Sequence, residues 1–343
     1  MSVGAWLCAP AASDNYIEGM GIVGPALSAT RLAIALVALA VSSWSQTVEA
    51  PHQPTQATAP KQTKIEQNNN PLPDIPTLMH AVEINQRNAE AVQKNYLYHS
   101  VESLQQMDGH GSIKKTSTSE YDDFWVTGVP VRRLLRKDGK DLTPEQQKKE
   151  SERIDKEAAR SQEKRRKADA AGKETDPRGN EEITVSRLLE LGHFTNPRRV
   201  TINERDTIAV DYSGDPKAKT RNRSEDVIRD LIGTVWVDEQ DQTISRIEGH
   251  FLNAFKVGGG LLMNIRKDTS FALVLKKVND EVWLPAQLCG QGAARALLFF
   301  NFDGRIHVEY SDYRKFKATS TILPGLRTVE EQATPETPNR EKK

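Results

Sequence analysis

The spacing of apolar positions along this chain changes period several times. Ile75, Leu78, Met79, Val82, Ala89, Val92 and Tyr96 recur at helical spacing, with Asp74 placed to cap the helix and Pro76 in its first turn. From Tyr96 the pattern becomes strand-like: Tyr96–Met107 and Ser112–Val126 flank Asp108-Gly109-His110-Gly111, which reads as a hairpin turn. Val185, Leu188 and Leu189 suggest a short helix stopped by Gly192, and residues 198–212 a hairpin bending at Glu204-Arg205-Asp206. Ser224 is placed to open a further helix carrying Val227, Ile228, Leu231 and Ile232, closed by Gly233. Strand-like runs then follow at 234–238, 243–251, 255–266, 269–278, 282–289, 293–302 and 305–317. The turn signals between them are Asp238-Glu239-Gln240-Asp241, Asn279-Asp280-Glu281, Gly290-Gln291-Gly292 and Asp303-Gly304, the last a type I′ hairpin pair. The pattern therefore predicts a mainly β (α+β) fold, an antiparallel meander of about eleven strands. A twisted sheet of that size curls, so a half-barrel or incomplete barrel is expected, with helices covering its concave face.

The flanks follow a different pattern. Leu32–Val41 is an apolar run of ten residues preceded by Arg31. A bilayer span needs about 20 apolar residues, whereas the core of a secretory signal peptide is of this size. Residues 1–45 are read as a signal peptide cut after Ser45, with Met20 as an alternative start that gives the leader an ordinary length. Residues 46–73 are rich in Pro, Gln, Thr and Asn and read as a disordered linker, and 327–343 as a disordered tail. The body is then 74–326, with a charged helical insertion at 132–180. The expected destination is the periplasm, with no transmembrane span in the mature chain. Cleavage removes Cys8 and leaves Cys289 alone, so no intramolecular disulfide is expected.

Composition sharpens this picture in one place. Lys and Arg number 47 and Asp and Glu 47, so the net charge is zero, which argues against a nucleic-acid partner. The balance is uneven: residues 72–131 carry −4 and residues 132–178 carry +5. Within the basic stretch, Thr143-Pro144-Glu145 reads as a helix start, and apolar residues are few. A solvated helix projecting from the fold is expected there. Lys164, Arg165, Arg166 and Lys167 would be its candidates for contact with anionic headgroups.

Catalytic templates are weak or missing. The chain lacks G-x-S-x-G, H-E-x-x-H and G-x-x-x-x-G-K-[ST] patterns. S-x-x-K occurs at Ser112–Lys115 and again at Ser161–Lys164, and the second copy lies in the charged helix, which shows how readily this pattern arises by chance. Gly258-Gly259-Gly260 is followed by no Lys-Ser/Thr and reads as a bend in a strand. The seven histidines are scattered, and none has metal-ligand spacing to another His or Cys. Asp122 and Asp123 fall on opposite faces of a strand. No catalytic residue, metal or cofactor is assigned. What remains is an apolar set: Trp125, Trp236, Phe271, Leu273, Leu275, Trp283, Leu297 and Phe299. These residues serve either as ordinary core or as the lining of a concavity, since a sheet this wide encloses more space than its side chains readily fill. An acyl chain suits such a lining, each buried methylene being worth roughly 0.8 kcal/mol.

Several segments are similar to strand pairs of the bacterial outer-membrane lipoprotein carrier and receptor superfamily, the Lol-type fold. They are Gly233-Thr-Val-Trp-Val-Asp238 with Ile244-Ser-Arg-Ile-Glu248, Glu281-Val-Trp-Leu-Pro285, Tyr310-Ser-Asp-Tyr-Arg-Lys-Phe316, and Gly128-Val-Pro-Val-Arg-Arg133 leading to Lys137-Asp-Gly-Lys140. The resemblance spans residues 74–320. It implies a non-enzymatic periplasmic protein that binds a lipid or an acylated lipoprotein in its concavity and works with an inner- or outer-membrane protein. Two other readings stand beside it. One is an envelope interaction or sensor module that uses the charged helix as its contact. The other is a hydrolase whose site matches no template.

Overall fold

The computed structural model describes residues 70–316, apart from 109, 258–262, 268 and 297–299. The leader, most of the linker, the tail, the triple glycine, Leu297 and Phe299 all lie outside the described residues. Helix α1 (Ile75–Gln93) starts as its sequence requires: the Asp74 carboxylate accepts from the Thr77 N–H at 3.0 Å, and a proline occupies the first turn. Its buried residues, Leu78, Met79 and Val82, form one stripe. Four strands follow: β1 (Tyr96–Met107), β2 (Ile113–Val126), β3 (Val129–Lys137) and the two-residue β4 (Lys140–Asp141). After α2 (Pro144–Ala170) and α3 (Val185–Leu191) come β5 (Gly192–Ile202), β6 (Arg205–Gly214) and α4 (Arg223–Arg229). The remaining strands are β7 (Leu231–Asp238), β8 (Thr243–Phe251), β9 (Phe255–Val257), β10 (Met263–Ile265), β11 (Ser270–Val278), β12 (Val282–Ala296) and β13 (Phe300–Lys315).

All of these strands join one antiparallel sheet. Eleven lie on a single path, β4-β3-β2-β1-β13-β12-β11-β8-β7-β6-β5, and the β9–β10 hairpin attaches to β12. The two end strands do not pair, so the sheet stays open. One apolar cluster runs without a break across β6, β7, β8, β11, β12 and β13 and includes Leu78, Met79 and Val82 of α1 and Val185 of α3. Six flat strands would extend about 24 Å, twice the width of a helix, so the sheet must curve round its helical cover. The fold is the expected half-barrel.

Several turn assignments need correction. Gly290-Gln291-Gly292 and Asp303-Gly304 lie inside β12 and β13, where Gly292 faces Gly304 in register. A Cβ at Gly292 would overlap the Thr269 side chain, and one at Gly290 would come within 3.0 Å of Ile306. These glycines permit close approach rather than reversal. The β12–β13 ladder runs on past them to Ala296 paired with Phe300. Gly233 likewise lies within β7, where a Cβ would overlap the Glu248 carbonyl oxygen, so it does not end a helix. Helix α4 is capped by Asn222 rather than Ser224, the Asn222 side chain accepting from the Glu225 N–H at 3.0 Å. The β5–β6 turn sits at Asn203-Glu204, both at positive φ (50° and 64°), one residue before the expected bend. The 255–266 run divides into β9 and β10, which pair antiparallel.

The charged helix is the main revision. Residues 129–137 belong to the sheet as β3, and β4 covers only the last two of them. Helix α2 lies along the rest of that edge. Glu150 accepts from the Leu134 N–H at 2.8 Å, Arg153 donates to the Arg132 carbonyl, and Arg165 donates to the Gly128 carbonyl at 3.3 Å. Arg178, just beyond the helix, donates to the Pro130 carbonyl at 2.7 Å and to Glu157 at 2.5 Å. Ile154 packs with Phe124, Val129 and Val131 beneath this row. Side chains thus do for β3 what a neighbouring strand would do, and Pro130 has no N–H to leave unmatched. The helix does not project; one face is bound and the other is wet. Thr143 and Gln146 form a reciprocal capping box at its start, at 3.3 and 2.8 Å. Thr143→Ala is expected to cost about 1 kcal/mol in urea unfolding, with the slope unchanged.

Candidate functional site

In a sheet, directly paired residues share a face. By register, Val308, Leu288, Leu273, Ile247, Val235 and Val210 form one row, each on its own strand, on the face that α1 and α3 cover. Of the apolar candidates, Phe271, Leu273, Leu275 and Trp283 are brought together in this cluster. Trp283 also has a polar anchor: its Nε1–H donates to Asp241 at 2.8 Å. Asp241 is a hub, accepting as well from Lys277 and Arg205, each at 3.0 Å. Burial works against its charge, but the hydrogen bonds from Lys277 and Trp283 prevail and lower its pKa.

The other candidates are elsewhere. Trp236 is paired with Arg246 on the opposite face, its ring 5.2 Å from that guanidinium. Trp125 lies near the end of β2, 5.6 Å from the Lys94 ammonium. The basic run is already partnered. Lys164 donates to Asn180 at 3.3 Å and Arg165 to Gly128, while Arg166 and Lys167 share Glu163 at 2.8 and 3.3 Å. Hydrogen bonds from Arg166 and then Lys167 draw the Glu163 pKa down to about 2.

The covered face has a second, polar half over β1–β3 that no motif announced. Arg132 is buried there among Glu102 (3.0 Å), Ser100 (3.1 Å) and Asp123 (3.3 Å), with its guanidinium 3.9 Å from the Tyr121 ring. The Ser100 hydroxyl donates to Asp123, and both side chains are buried. Burial opposes the Arg132 charge, yet Asp123 and Glu102 outweigh it and raise the guanidinium's pKa, so Arg132 stays cationic. Asp122 points the other way, toward His99 at 3.7 Å. The signal was strand phase: Ser100 and Asp123 alternate in step with buried Tyr98 and Tyr121.

The helical cover is held by few polar ties. Asn85 of α1 donates to the Asp241 carbonyl at 3.0 Å, Gln93 to the Trp283 carbonyl at 3.3 Å, and Arg87 pairs with Glu174 at 3.1 Å. Between α3 and α4, Arg187 grips Glu225 through two bonds of 2.8 and 2.7 Å, and the Arg221 N–H adds a third of 2.6 Å. The Arg187 bonds lead in lowering the Glu225 pKa. A carboxylate whose pKa falls on folding adds stability above its unfolded value, about 4.3, and that gain disappears as pH drops through the folded value. Wild type is therefore expected to exceed Glu225→Gln in unfolding free energy at pH 7, with the gap narrowing below about pH 4. A gap independent of pH would show that Glu225 acts through packing alone.

The fold and this site define an open antiparallel β-sheet protein whose face under α1 and α3 is apolar over most of its width and ionic at one end. No family model matches the chain, and no curated protein matches it. Among solved structures it is similar to a domain described as an outer membrane lipoprotein-sorting protein from Vibrio parahaemolyticus, at 11% identity over 71% of this chain and 95% of that one, TM-score 0.29. It is also similar to a DUF1329 family protein from Desulfovibrio piger (10% identity, 71% and 95% covered, TM-score 0.31). A LolA superfamily protein from Nitrosomonas europaea matches at 10% identity, with 71% and 94% covered and TM-score 0.24. The superfamily that the hairpin segments resemble is thus among these likenesses. At such TM-scores they carry no function across.

Proposed function

We propose that the protein buries the acyl chain of a lipid, or of a lipid-modified protein, between its helical cover and the apolar face of the sheet, without chemical conversion. The observation that carries this reading is the continuity of that face: one cluster spans six strands of a sheet that does not close, with α1 and α3 as its cover. Helix α1 runs into β1 through Lys94 and Asn95, and its side chains tie to the sheet through Asn85 and Gln93. Swinging it aside bares an apolar strip lined by Phe271, Leu273, Leu275 and Trp283, and each methylene laid against that strip offsets roughly 0.8 kcal/mol of the exposure. A periplasmic setting and a part in outer-membrane lipoprotein sorting are supported by the leader's pattern and by the resemblance of the hairpin segments. The test is native mass spectrometry of the exported full chain for co-purified lipid, paired with titration of a fluorescent fatty acid. A bound lipid or saturable micromolar binding is expected; neither lipid nor saturation would overturn the reading.

A further inference from the structure

The outer face of the sheet, opposite the covered one, carries a group that acyl burial does not use. Cys289 on β12 faces His307 on β13 in direct register, with Sγ 3.2 Å from Nδ1. The other ring nitrogen, Nε2, lies 3.1 Å from a Glu309 carboxylate oxygen. A nucleophile, a base within hydrogen-bond reach and a carboxylate orienting that base form the arrangement that activates thiols. With Nε2–H donated to Glu309, Nδ1 is left to accept the thiol proton.

The setting is unusual for a structural cysteine. Cys289 is 1% exposed, yet it does not belong to the apolar cluster that holds Phe271 and Leu273 on the other face. Its register neighbours are small or polar. They are Gln287 and Gln291 on its own strand, Ser270, Ala272 and Val274 on β11, and Arg305, His307 and Glu309 on β13. Beyond His307, β1 contributes Val101, Ser103 and Gln105. Beyond Ser270, Ala272 and Val274, β8 contributes His250, Glu248 and Arg246, the last two paired with each other. Among the described residues, the charged groups placed around the thiol by register are Arg305, Glu309, Arg246 and Glu248, two of each sign, with His250 as a further titratable neighbour. His307, with Nδ1 in hydrogen-bond reach of Sγ, is placed to take the proton.

We propose that Cys289 is a nucleophilic thiol, with His307 as its base and Glu309 as the residue positioning that base, and that it reacts with small hydroperoxides. The thiolate sulfur bonds to one peroxide oxygen as the O–O bond breaks. The departing oxygen takes the proton that His307 accepted and leaves as water or alcohol. Sulfur is oxidised by two electrons to a sulfenic acid, and the hydroperoxide is reduced by the same two. Burial of Cys289 restricts the reaction to small oxidants, while His307 (18% exposed) and Glu309 (60%) remain open to solvent. The site is on the face opposite the proposed acyl strip, so it stands or falls independently of lipid binding.

The experiment doses the exported full chain with hydrogen peroxide from pH 5 to 9, traps sulfenic acid with dimedone, and reads rates by intact mass. Wild type is expected to hold its rate nearly level below pH 7, whereas His307→Ala loses about tenfold for each pH unit below an ordinary thiol pKa of about 8.5. Glu309→Gln, at an exposed position that does not threaten folding, is expected to move the wild-type inflection upward without abolishing the reaction. If wild type and both variants instead share one inflection near pH 8.5, Cys289 is an ordinary buried thiol and the proposal fails.

Discussion

Replacing Arg132 with methionine is expected to lower the unfolding free energy by about 3–5 kcal/mol, because it strands two carboxylates in the interior. Asp123 is 1% exposed and Glu102 is held beside it, both taking their ionic partner from this one guanidinium. Removing the cation leaves Asp123, among the described residues, with the Ser100 hydroxyl as its hydrogen-bond partner, while burial already pushes its pKa up. The measurement is urea unfolding of wild type, Arg132→Met, and Arg132→Met combined with Asp123→Asn and Glu102→Gln. The triple variant should recover much of the loss, since its interior holds no unpaired charge. A single variant within 1 kcal/mol of wild type would mean that water reaches the cluster and solvates it.

Leu273→Ala should cost a similar amount, about 3–5 kcal/mol, for a different reason. Leu273 is 1% exposed and stands in register between Ile247 of β8 and Leu288 of β12, in the middle of the covered face. Its neighbours are held by backbone ladders on both sides and cannot close in, so truncation leaves a cavity as well as losing transfer free energy. Equilibrium unfolding reads the loss, and repeating it with saturating fatty acid connects stability to the proposed function. A ligand seated against this strip should restore part of the difference through its binding energy. A small unliganded loss would show that the face packs loosely around residue 273.

Period and turn chemistry made much of the architecture legible. Helical spacing with an Asp74 cap located α1, and strands with tight turns predicted a large antiparallel sheet, which the structure shows. The errors have a common cause. Glycine marks both a turn and a place where another group comes close, and a one-dimensional pattern cannot separate the two. At Gly233, Gly290 and Gly292 the second role applied, because neighbouring strands bring Glu248, Ile306 and Thr269 against the backbone. Charge misled in the same way at α2. A run of Glu, Lys and Arg reads as solvation until an unpaired strand edge offers carbonyls and an N–H for Arg153, Arg165 and Glu150 to meet.

The site divides along the same line. Which residues are apolar, the alternation that sends Leu273 and Val274 to opposite faces, and the Asp74 and Thr143 caps were legible along the chain, because these depend on neighbours within a few positions. Strand pairing across the whole sheet put Trp236 outside the covered face and Trp283 within it. It alone brought Arg132 to Asp123, Ser100 and Glu102, and His307 to Cys289. Those meetings depend on register between distant strands, which is set by the packing of the whole sheet around its helices and not by any local preference.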